Sequence, residues 1–341
     1  MKDNECVPLD LNAHFVLREG AAEKASGLAR LRLTEDSLGL MPETGQARSY
    51  PLREILDVRA ADYRLALSLP EGHQVVLSQL GRDFDNLARE LSTRRSALLL
   101  SDLLMEEPLV MGGMKGDYRQ VCPGAEPASG QAELRLYQTA LVVIPQFGTP
   151  VRLPFSEILE SGEADCKFSI KTEFNGEFVF SSLGRDLEPL KRNLNELSRA
   201  LALKVQSLVK ELMPSAGQAA VLKLAGLMKE GRAARRRDIE AEAPGLWGEL
   251  ELRLLDSPAA EEYAFLKKAG RSQDISIGVK RSLEKGESDY LWFLVPVASI
   301  EHRKPGNAVV MEAVSEDDEA RATYVFRLVS RAAYTSLKTE A

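Results

Sequence analysis

The side chains that most often supply catalytic groups and metal ligands are scarce in this chain and far apart. The histidines and cysteines among its 341 residues are His14, His73, His302, Cys6, Cys122 and Cys166. None stands at the spacing of a metal site, a catalytic triad or a Cys-x-x-Cys pair. The sequence also lacks the Gly-x-Ser-x-Gly nucleophile elbow, the phosphate loop and the His-Glu-x-x-His zinc motif. We therefore expect no enzymatic activity, no cofactor and no metal site.

A first group of basic residues could hold phosphate groups. It consists of Lys24, Arg30 and Arg32, which fit the spacing Lys-x5-Arg-x-Arg. Three cations around one loop can bind phosphates by charge-assisted hydrogen bonds, and arginine adds bidentate geometry. In the second copy of the duplication described below, Glu133 stands in the place of Arg30. The group predicts a site for an anionic headgroup, and ordinary solvated surface charge is the alternative.

A second, denser basic cluster lies in a segment, 217–242, whose pattern predicts a mostly helical structure. Its members are Arg232, Arg235, Arg236 and Arg237. Such a helix could contact nucleic-acid phosphates or anionic lipid headgroups. Because the acidic residues Asp238, Glu240 and Glu242 follow at once and no aromatic residue interleaves, a self-neutralising surface helix is the favoured interpretation.

One motif in the same region resembles a ligand site of a known family. Arg232-x3-Arg236, together with the segment 274–278 (Asp-Ile-Ser-Ile-Gly), is similar to the cyclic-dinucleotide motif of PilZ domains. The spacing differs from that motif by one residue. The resemblance implies a phosphate-rich ligand at this place in the chain.

Charge and hydropathy limit the classes of partner and the compartment. The formal net charge is −7, which disfavours nonspecific binding of nucleic acid by the whole surface. No apolar run approaches the roughly 20 residues that cross a bilayer. The acidic segment Met1–Cys6 lacks the apolar core of a secretory signal. The odd number of cysteines argues against a disulfide framework, so we expect a cytoplasmic protein.

The elements that would position these side chains occur in an internal duplication. A shift of 103 residues superposes Glu54–Leu56 on Glu157–Leu159 and, without a gap, the region near 14–105 on the region near 117–208. A period near 100 residues is too long for a solenoid unit and fits a whole domain. The sequence therefore predicts tandem domains.

Each copy shows the pattern of several short strands followed by one amphipathic helix. In the first copy the predicted strands are His14–Arg18, Leu28–Leu33, Leu38–Met41, Pro51–Val58, Tyr63–Leu69 and Gln74–Gln79. Alternating apolar residues and intervening turn signals support this prediction. A repeated Leu-Gly-Arg-Asp motif then leads into the helix, with glycine for the bend and aspartate for the cap, which is a structural role. Its residues are Gly81, Arg82, Asp83, Gly184, Arg185 and Asp186.

This order of elements resembles the pleckstrin-homology-like superfold. The resemblance covers roughly 14–105 and 117–212, and it rests on the element order, on the strand with Pro51–Ile55 and on the hairpin before the helix. Neither helix contains the tryptophan that many members have there, which indicates a divergent branch. The expected fold class is α+β, with two or three bent antiparallel barrels or sandwiches, each closed by a C-terminal amphipathic helix, and a helical linker.

The chain is expected to divide into four segments. Domains of this fold are predicted at 12–107 and 115–213, a helical linker at 214–258, and a β-rich domain at 259–341. Because Tyr263–Gly270 resembles the first strand of the repeat, the last segment is interpreted as a degenerate or truncated third copy. An unrelated small β domain is the alternative, since the spacing of the later elements is not kept.

Duplication without catalytic residues favours a noncatalytic binding or scaffold protein that recognises another protein or peptide. The alternative is a peripheral binder of anionic membranes that uses the basic loop of the first domain. Nucleic acid is not an expected partner. A leucine stripe over 187–212 is longer than one barrel end requires, so its later half should pack on the helix at Val221–Met228, with homo-oligomer formation as the alternative.

Overall fold

The computed structural model divides the chain into two compact units. Unit 1 is Met1–Leu194 and unit 2 is Asn195–Ala341. The residues that the structure describes are 7–102, 107–124, 126–229, 232–280, 290–297, 308–315 and 321–327. Both copies of the duplicated sheet lie in unit 1, and a smaller sheet lies in unit 2.

The first copy folds as one antiparallel sheet of seven strands followed by a helix. The elements are β1 (Leu9–Glu19), β2 (Ala22–Leu33), β3 (Ser37–Pro42), β4 (Arg48–Pro51), β5 (Asp57–Ala61), β6 (Arg64–Ser68), β7 (His73–Ser78) and α1 (Phe84–Asp102). The strand order is β4-β3-β2-β1-β7-β6-β5. Along β1 and β2, buried apolar residues alternate with more exposed ones, as the period of two in the sequence predicts.

The second copy repeats this topology. Its elements are β8 (Leu109–Val121), β9 (Ala128–Tyr137), β10 (Ala140–Pro145), β11 (Val151–Pro154), β12 (Ile158–Ala164), β13 (Lys167–Thr172), β14 (Glu177–Ser181) and α2 (Leu187–Leu212). The strand order, β11-β10-β9-β8-β14-β13-β12, matches the first sheet position by position. The register matches too, since Leu31 pairs with Leu40 and, 103 residues later, Leu134 pairs with Val143. The predicted tandem arrangement of β-sheet domains is confirmed.

The first sheet curls around an apolar core that its helix closes. Leu40 near one end of the strand order and Val58 near the other share a core with Leu87 and Leu91 of α1. Residues from opposite ends of a sheet can share a core only if the sheet bends. Full burial of a leucine side chain stabilises the fold by roughly 1.5–3 kcal/mol relative to exposure. The predicted fold class, α+β with curved antiparallel sheets and closing helices, is confirmed.

The predicted strand at Pro51–Val58 is wrong in its middle. Leu52–Glu54 forms a short 3-10 turn, and β5 begins only at Asp57. Proline has no N–H for a strand ladder, and β4 and β5 stand at opposite ends of the strand order, so the chain must leave the sheet between them. The buried side chain of Leu52 anchors this crossing.

Unit 2 combines short helices with a five-stranded meander. The elements that follow α2 are α3 (Gln218–Leu227), β15 (Ala233–Arg235), α4 (Arg236–Glu242), α5 (Trp247–Leu255), α6 (Ala260–Ala269), β16 (Ser276–Lys280), β17 (Tyr290–Val297), β18 (Ala308–Ser315) and β19 (Arg321–Arg327). The strands are ordered β15-β16-β17-β18-β19. Helices and strands share one core, in which the Tyr263 ring meets Phe293 edge-on at 5.1 Å between ring centres. Among the described helices, none is both long and apolar enough to cross a membrane.

The later half of the leucine stripe is used inside unit 2. Val205, Leu208 and Val209 of α2 lie in the same core as Val221 and Leu224 of α3. The predicted packing of this half of α2 within the chain is therefore observed. Homo-oligomer formation through the helix stays a prediction.

One predicted element of the C-terminal half is observed and one is wrong. The segment 217–242 is mostly helical, as predicted, and the short strand β15 separates α3 from α4. The segment Tyr263–Gly270, predicted as a strand, lies in helix α6 except for Gly270, which follows the end of the helix. Acidic residues in the first turn of α6 and lysines in its last turn favour a helix by complementing its dipole. The region after Arg327, where a closing helix was expected to follow Arg331, lies outside the described residues, and the four segment boundaries stay a prediction.

Candidate functional site

Helix α1 is buried on two of its faces, although only one of them is apolar. Leu87 and Leu91 lie in the core of the first sheet. Ser92, Arg95 and Ser96 are also buried, with at most 7% of each residue exposed. Buried polar side chains require hydrogen-bond partners, and those of Ser92 and Arg95 include groups of the second copy.

Arg95 joins the two copies. Its Nε donates to the carbonyl of Ile55 at 2.8 Å, and its Nη2 to that of Leu56 at 3.1 Å, both in the first copy. Nη1 donates to the carbonyl of Gly148 at 3.0 Å, and Nη2 to the Thr149 hydroxyl at 3.0 Å, both in the second copy. Burial lowers the pKa of this guanidinium. Arginine still remains charged at neutral pH, so these are charge-assisted bonds.

Two further contacts attach α1 to the second copy. The hydroxyl of Ser92 donates to the carbonyl of Gln146, and the neighbouring Phe147 packs against the core of the first sheet. Towards the end of the helix, Leu100 packs with Val142 on the outer face of the second sheet. The helix is therefore held at separate points along its length.

Between these contacts lies a cleft with a volume of about 630 Å³. One wall is formed by α1 residues three or four positions apart between Arg89 and Leu100, which share a helix face. The floor is formed by β8, β9 and β10, chiefly by outward-facing residues such as Gln131, Glu133 and Arg135. This volume lies in the range of sites that hold small ligands.

The charged residues of the cleft are only partly engaged with each other. Glu133 accepts a hydrogen bond from Arg135 Nε at 2.6 Å, which raises the pKa of Arg135. Asp117 accepts one from the Ser182 hydroxyl at 2.6 Å. Lys115 lies opposite Glu133 in the strand register, and no ion pair within 4.0 Å is found for it among the described residues. The cleft thus offers a ligand one open ammonium group beside carboxylates that already have partners.

The chemistry of the lining suits noncovalent binding. Hydroxyl and amide side chains, among them Thr93 and Gln131, supply both donors and acceptors. Among the described residues that line the cleft, none is a histidine or a cysteine. In the part of the chain that the structure describes, no group of three His, Cys, Asp or Glu side chains could hold a metal ion.

The three predicted headgroup residues lie on strand β2 rather than around a loop. Lys24 pairs with Glu19 at 2.7 Å, and Arg30 lies 3.6 Å from Asp10. Along an extended strand, Lys24 and Arg30 are separated by about 20 Å. The structure therefore brings Arg30 and Arg32 together on one exposed face but not Lys24.

The Leu-Gly-Arg-Asp motif lies at both helix entries. Gly81–Asp83 and Gly184–Asp186 each form a 3-10 turn directly before the helix. The glycines have φ angles of +55° and +54°, a region that favours glycine. The structural role of the motif, with glycine for the bend and aspartate for the cap, stays a prediction.

The basic cluster of unit 2 is divided between a strand and a helix. Arg235 is the last residue of β15 and Arg236 the first of α4, while Arg232 precedes the strand. Arg236 donates to the hydroxyl of Ser272 at 2.7 Å, and its guanidinium lies 5.8 Å from the ring centre of Trp247. Contacts with neighbouring side chains therefore fix the position of this arginine.

Strand pairing brings together the two halves of the PilZ-like motif. β15 pairs with β16, and Ala234 stands opposite Ile277. The N–H of Arg236 donates to the carbonyl of Ile275 at 2.8 Å, and Arg237 lies 3.4 Å from the carboxylate of Asp274. Segments about 40 residues apart in sequence thus form one local surface.

Sequence reasoning missed the cleft and the role of Arg95. One signal was present, because Leu87, Leu91 and Arg95 are four residues apart and so share a helix face. An arginine on a stripe of buried residues requires a partner from elsewhere in the structure. The identity of that partner, the loop at 146–149, is visible only in the fold.

Comparisons with known proteins do not assign a family. No protein-family model and no curated protein matches the chain. A solved structure, described as the structure of the Spt16D Pob3N heterodimer, is 16% identical, covers 50% of this chain and 86% of its own, and has a TM-score of 0.21. A TM-score that low carries no argument about function. The class of protein is therefore defined by its own geometry, an α+β protein with tandem seven-stranded sheets.

Proposed function

We propose that this protein is a noncatalytic recognition protein that binds an extended segment of another protein in the cleft beneath α1. The observation that supports this proposal is the cleft itself. Its helix wall, from Arg89 to Leu100, is about 16 Å long, since each helical residue rises about 1.5 Å. That length matches about five residues of extended peptide.

The walls of this cleft are held in place before a partner arrives. Arg95, Ser92 and Leu100 attach the helix to the second copy on either side of the opening. A preorganised site binds more tightly because less conformational entropy is lost on association. The mixture of amide, hydroxyl and charged groups suits a peptide, whose backbone offers a donor and an acceptor at nearly every residue.

The predicted domain boundaries and the cytoplasmic location form part of this proposal. The alternative, a membrane headgroup site at Lys24, Arg30 and Arg32, stays a prediction. The separation of about 20 Å between Lys24 and Arg30 argues against one compact phosphate site.

Selection from a random peptide library on the immobilised full chain tests the proposal. Ala97 is exposed and lines the cleft, so Ala97→Trp should fill it. Ala47, exposed in the loop between β3 and β4, gives the matched control Ala47→Trp. Selected peptides should lose about tenfold or more in affinity with Ala97→Trp, roughly 1.4 kcal/mol or more, and should bind Ala47→Trp like the parent. Peptides that bind Ala97→Trp as tightly as the parent would contradict the proposal.

A second candidate function is binding of a cyclic dinucleotide to unit 2. It is favoured by the pairing of β15 with β16, which brings Arg232-x3-Arg236 beside the 274–278 segment. Arginine clusters suit phosphate groups because the guanidinium binds them bidentately.

Calorimetric titration of the full chain with cyclic diguanylate tests this second candidate. Binding should be abolished by Arg232→Ala and retained by Lys268→Ala, which removes an exposed cation of α6. The absence of heat at high ligand concentration, or an equal effect of both substitutions, would count against it.

A further inference from the structure

The outer face of the first sheet is the counterpart of the floor of the cleft. Arg30 pairs with Met41 in the strand register, as Glu133 pairs with Ile144 in the second sheet. The corresponding positions are 103 residues apart throughout. The two faces therefore share their strand register, and they differ in their side chains and in what covers them.

The first face is more exposed than the second at the positions of Arg30, Arg32 and Met41, whereas Leu28 and its counterpart Gln131 are both exposed. On the second sheet, Val142 is fully buried beside α1, and the Glu133 side chain is 29% exposed. On the first sheet, Leu28 is 49% exposed, Met41 is 37% exposed, and the Arg30 side chain is 63% exposed. Exposed single leucines are ordinary on protein surfaces. Two exposed apolar residues close together, on a face whose duplicate is covered by a helix, indicate a docking surface.

The two faces also differ in charge. At four matched positions the second face carries Lys115, Asp117, Glu133 and Arg135, and the first carries Asn12, His14, Arg30 and Arg32. Opposite charges are balanced on the second face. The first face has two arginines, and the carboxylate of Asp10 lies 3.6 Å from one of them, Arg30. The first face therefore suits a partner with negative charge.

We infer that this surface binds an acidic amphipathic helix of another protein. The surface, called the first-sheet face, is defined by His14, Leu28, Arg30, Arg32 and Met41. The duplicate shows which kind of element fits this strand geometry, because α1 lies on the second face. Leucine or similar residues of the partner would cover Leu28 and Met41, and its carboxylates would bind the arginines by charge-assisted hydrogen bonds.

A second copy of α1 is the wrong occupant for the first-sheet face. Thr44 stands in the first copy where Phe147 stands in the second, so the aromatic contact beside α1 has no counterpart. The side of α1 that lines the cleft with Glu133 and Arg135 presents Arg89, which would approach Arg30 and Arg32 at the matched positions. Like charges brought together on binding are unfavourable. The occupant is therefore a different, acidic helix.

Two synthetic helices test this inference with the full chain. Both are about 18 residues long, which allows a stable helix, and share one leucine face, while the polar face is glutamate in one and lysine in the other. Fluorescence anisotropy should show that the glutamate helix binds about tenfold or more tightly than the lysine helix. Added salt should weaken this binding, because the attraction is between exposed charges.

Charge reversal locates the site. The double variant Arg30→Glu with Arg32→Glu should weaken binding of the glutamate helix about tenfold or more. Arg64→Glu with Arg82→Glu makes the same change of charge at exposed positions of the first copy outside the face, and should leave the affinity within about twofold. All four side chains are exposed, so thermal unfolding should confirm that both variants fold.

A photoreactive residue distinguishes this site from the cleft. Placed at Met41, it should capture the glutamate helix, whereas at Ala97 it should not. The inference would be overturned by capture only at Ala97, by equal binding of both helices, or by unchanged affinity in the Arg30/Arg32 variant. It would also be overturned if anionic vesicles outcompete the glutamate helix. A dimer of this chain that Leu28→Asp abolishes would overturn it as well. The proposed function is tested separately, by the loss of affinity for the selected peptides in the Ala97→Trp variant.

Discussion

The two seven-stranded sheets of unit 1 share strand order, register and turns, yet among the described elements only the second sheet carries a helix of the other copy on its outer face. Even an uncommon backbone feature recurs. Asp62 and Tyr63 have positive φ angles of 50° and 55°, and Asp165 and Cys166 have angles of 51° and 56°. Turns of this kind match the twist of a two-residue hairpin. The backbone thus persists where the side chains have diverged.

The junction between the copies is built from residues without equivalents. Ser198 occupies the position of Arg95 in the second copy, and Thr44 occupies that of Phe147 in the first. The contacts that attach α1 to the second copy therefore cannot recur at the matched positions. Divergence at a few surface positions, on a common backbone, gives the two copies different roles.

The largest expected effect comes from Arg95→Met. This change removes four hydrogen bonds from a residue that is 3% exposed and takes this partner from the carbonyl of the buried residue Ile55. We expect a loss of about 3 kcal/mol in the free energy of unfolding. Urea unfolding followed by circular dichroism measures it, and hydrogen exchange should rise in α1 and in β10.

The matched control for Arg95 is Ser198→Ala, which should change stability by less than about 0.5 kcal/mol. Both tryptophans, Trp247 and Trp292, lie in unit 2. Their fluorescence should therefore report a smaller shift than circular dichroism. Equal losses from Arg95→Met and Ser198→Ala would show that the junction does not distinguish the copies.

Glycines in the last hairpin of each copy should also differ in their tolerance of a side chain. A Cβ at Gly176, where φ is +72°, would lie 2.2 Å from the carbonyl oxygen of Val121, whereas a Cβ at Gly72, where φ is +77°, meets no atom within 4 Å. We expect Gly176→Ala to cost about 3 kcal/mol and Gly72→Ala about 1 kcal/mol, the latter from backbone strain alone. Thermal unfolding compares the two, and equal costs would refute the steric argument.

Removal of the aromatic contact at the junction should have an intermediate effect. Phe147→Ala should cost about 2 kcal/mol, less than for a fully buried phenylalanine, because its ring is only partly buried. Thr44→Ala, at the matched exposed position, should be close to neutral. Urea midpoints of the two variants provide the measurement. A neutral Phe147→Ala would mean that the Phe147 ring does not help to hold α1 to the second copy.

The smallest effect concerns a matched pair of strained residues before the helix entries. Gln79 and Ser182 have φ angles of 57° and 60°. Gln79→Gly should stabilise the protein by about 0.5–1 kcal/mol, because glycine accepts this conformation without strain. Ser182→Gly should gain less, since it loses the bond to Asp117. Calorimetric melting midpoints of the two variants show which one is stabilised more. A larger gain from Ser182→Gly than from Gln79→Gly would contradict this prediction.

Local patterns predicted most of unit 1 and part of unit 2. The strands Leu28–Leu33 and Leu38–Met41 lie within β2 and β3, because alternation of period two is a direct consequence of a half-buried sheet. The strand predicted for the segment 263–270 is wrong, because its resemblance to a strand of the repeat is weaker evidence than its pattern of charges. The acidic start and basic end of α6 were visible in the sequence.

The candidate sites were predicted only in part. Arg30 and Arg32 were singled out by charge, and the structure places them on an exposed face with Leu28 and Met41. That face became interpretable only through the second copy, where Glu133 replaces Arg30 and a helix covers the sheet. Patterns in the sequence show which side chains share a strand face, but they do not show which sheet faces are covered by another element.

The sequence by itself determined the duplication, the strand and helix periods within each copy and the glycine-dependent turns, because these depend on residues near one another in the chain. Only the tertiary structure decided that Arg95 joins the two copies, that a cleft remains beneath α1, and that the matching face of the first sheet is open. Those features depend on groups some 40–55 residues apart, such as Arg95 and the loop at 146–149. No local pattern encodes the packing that brings such groups together.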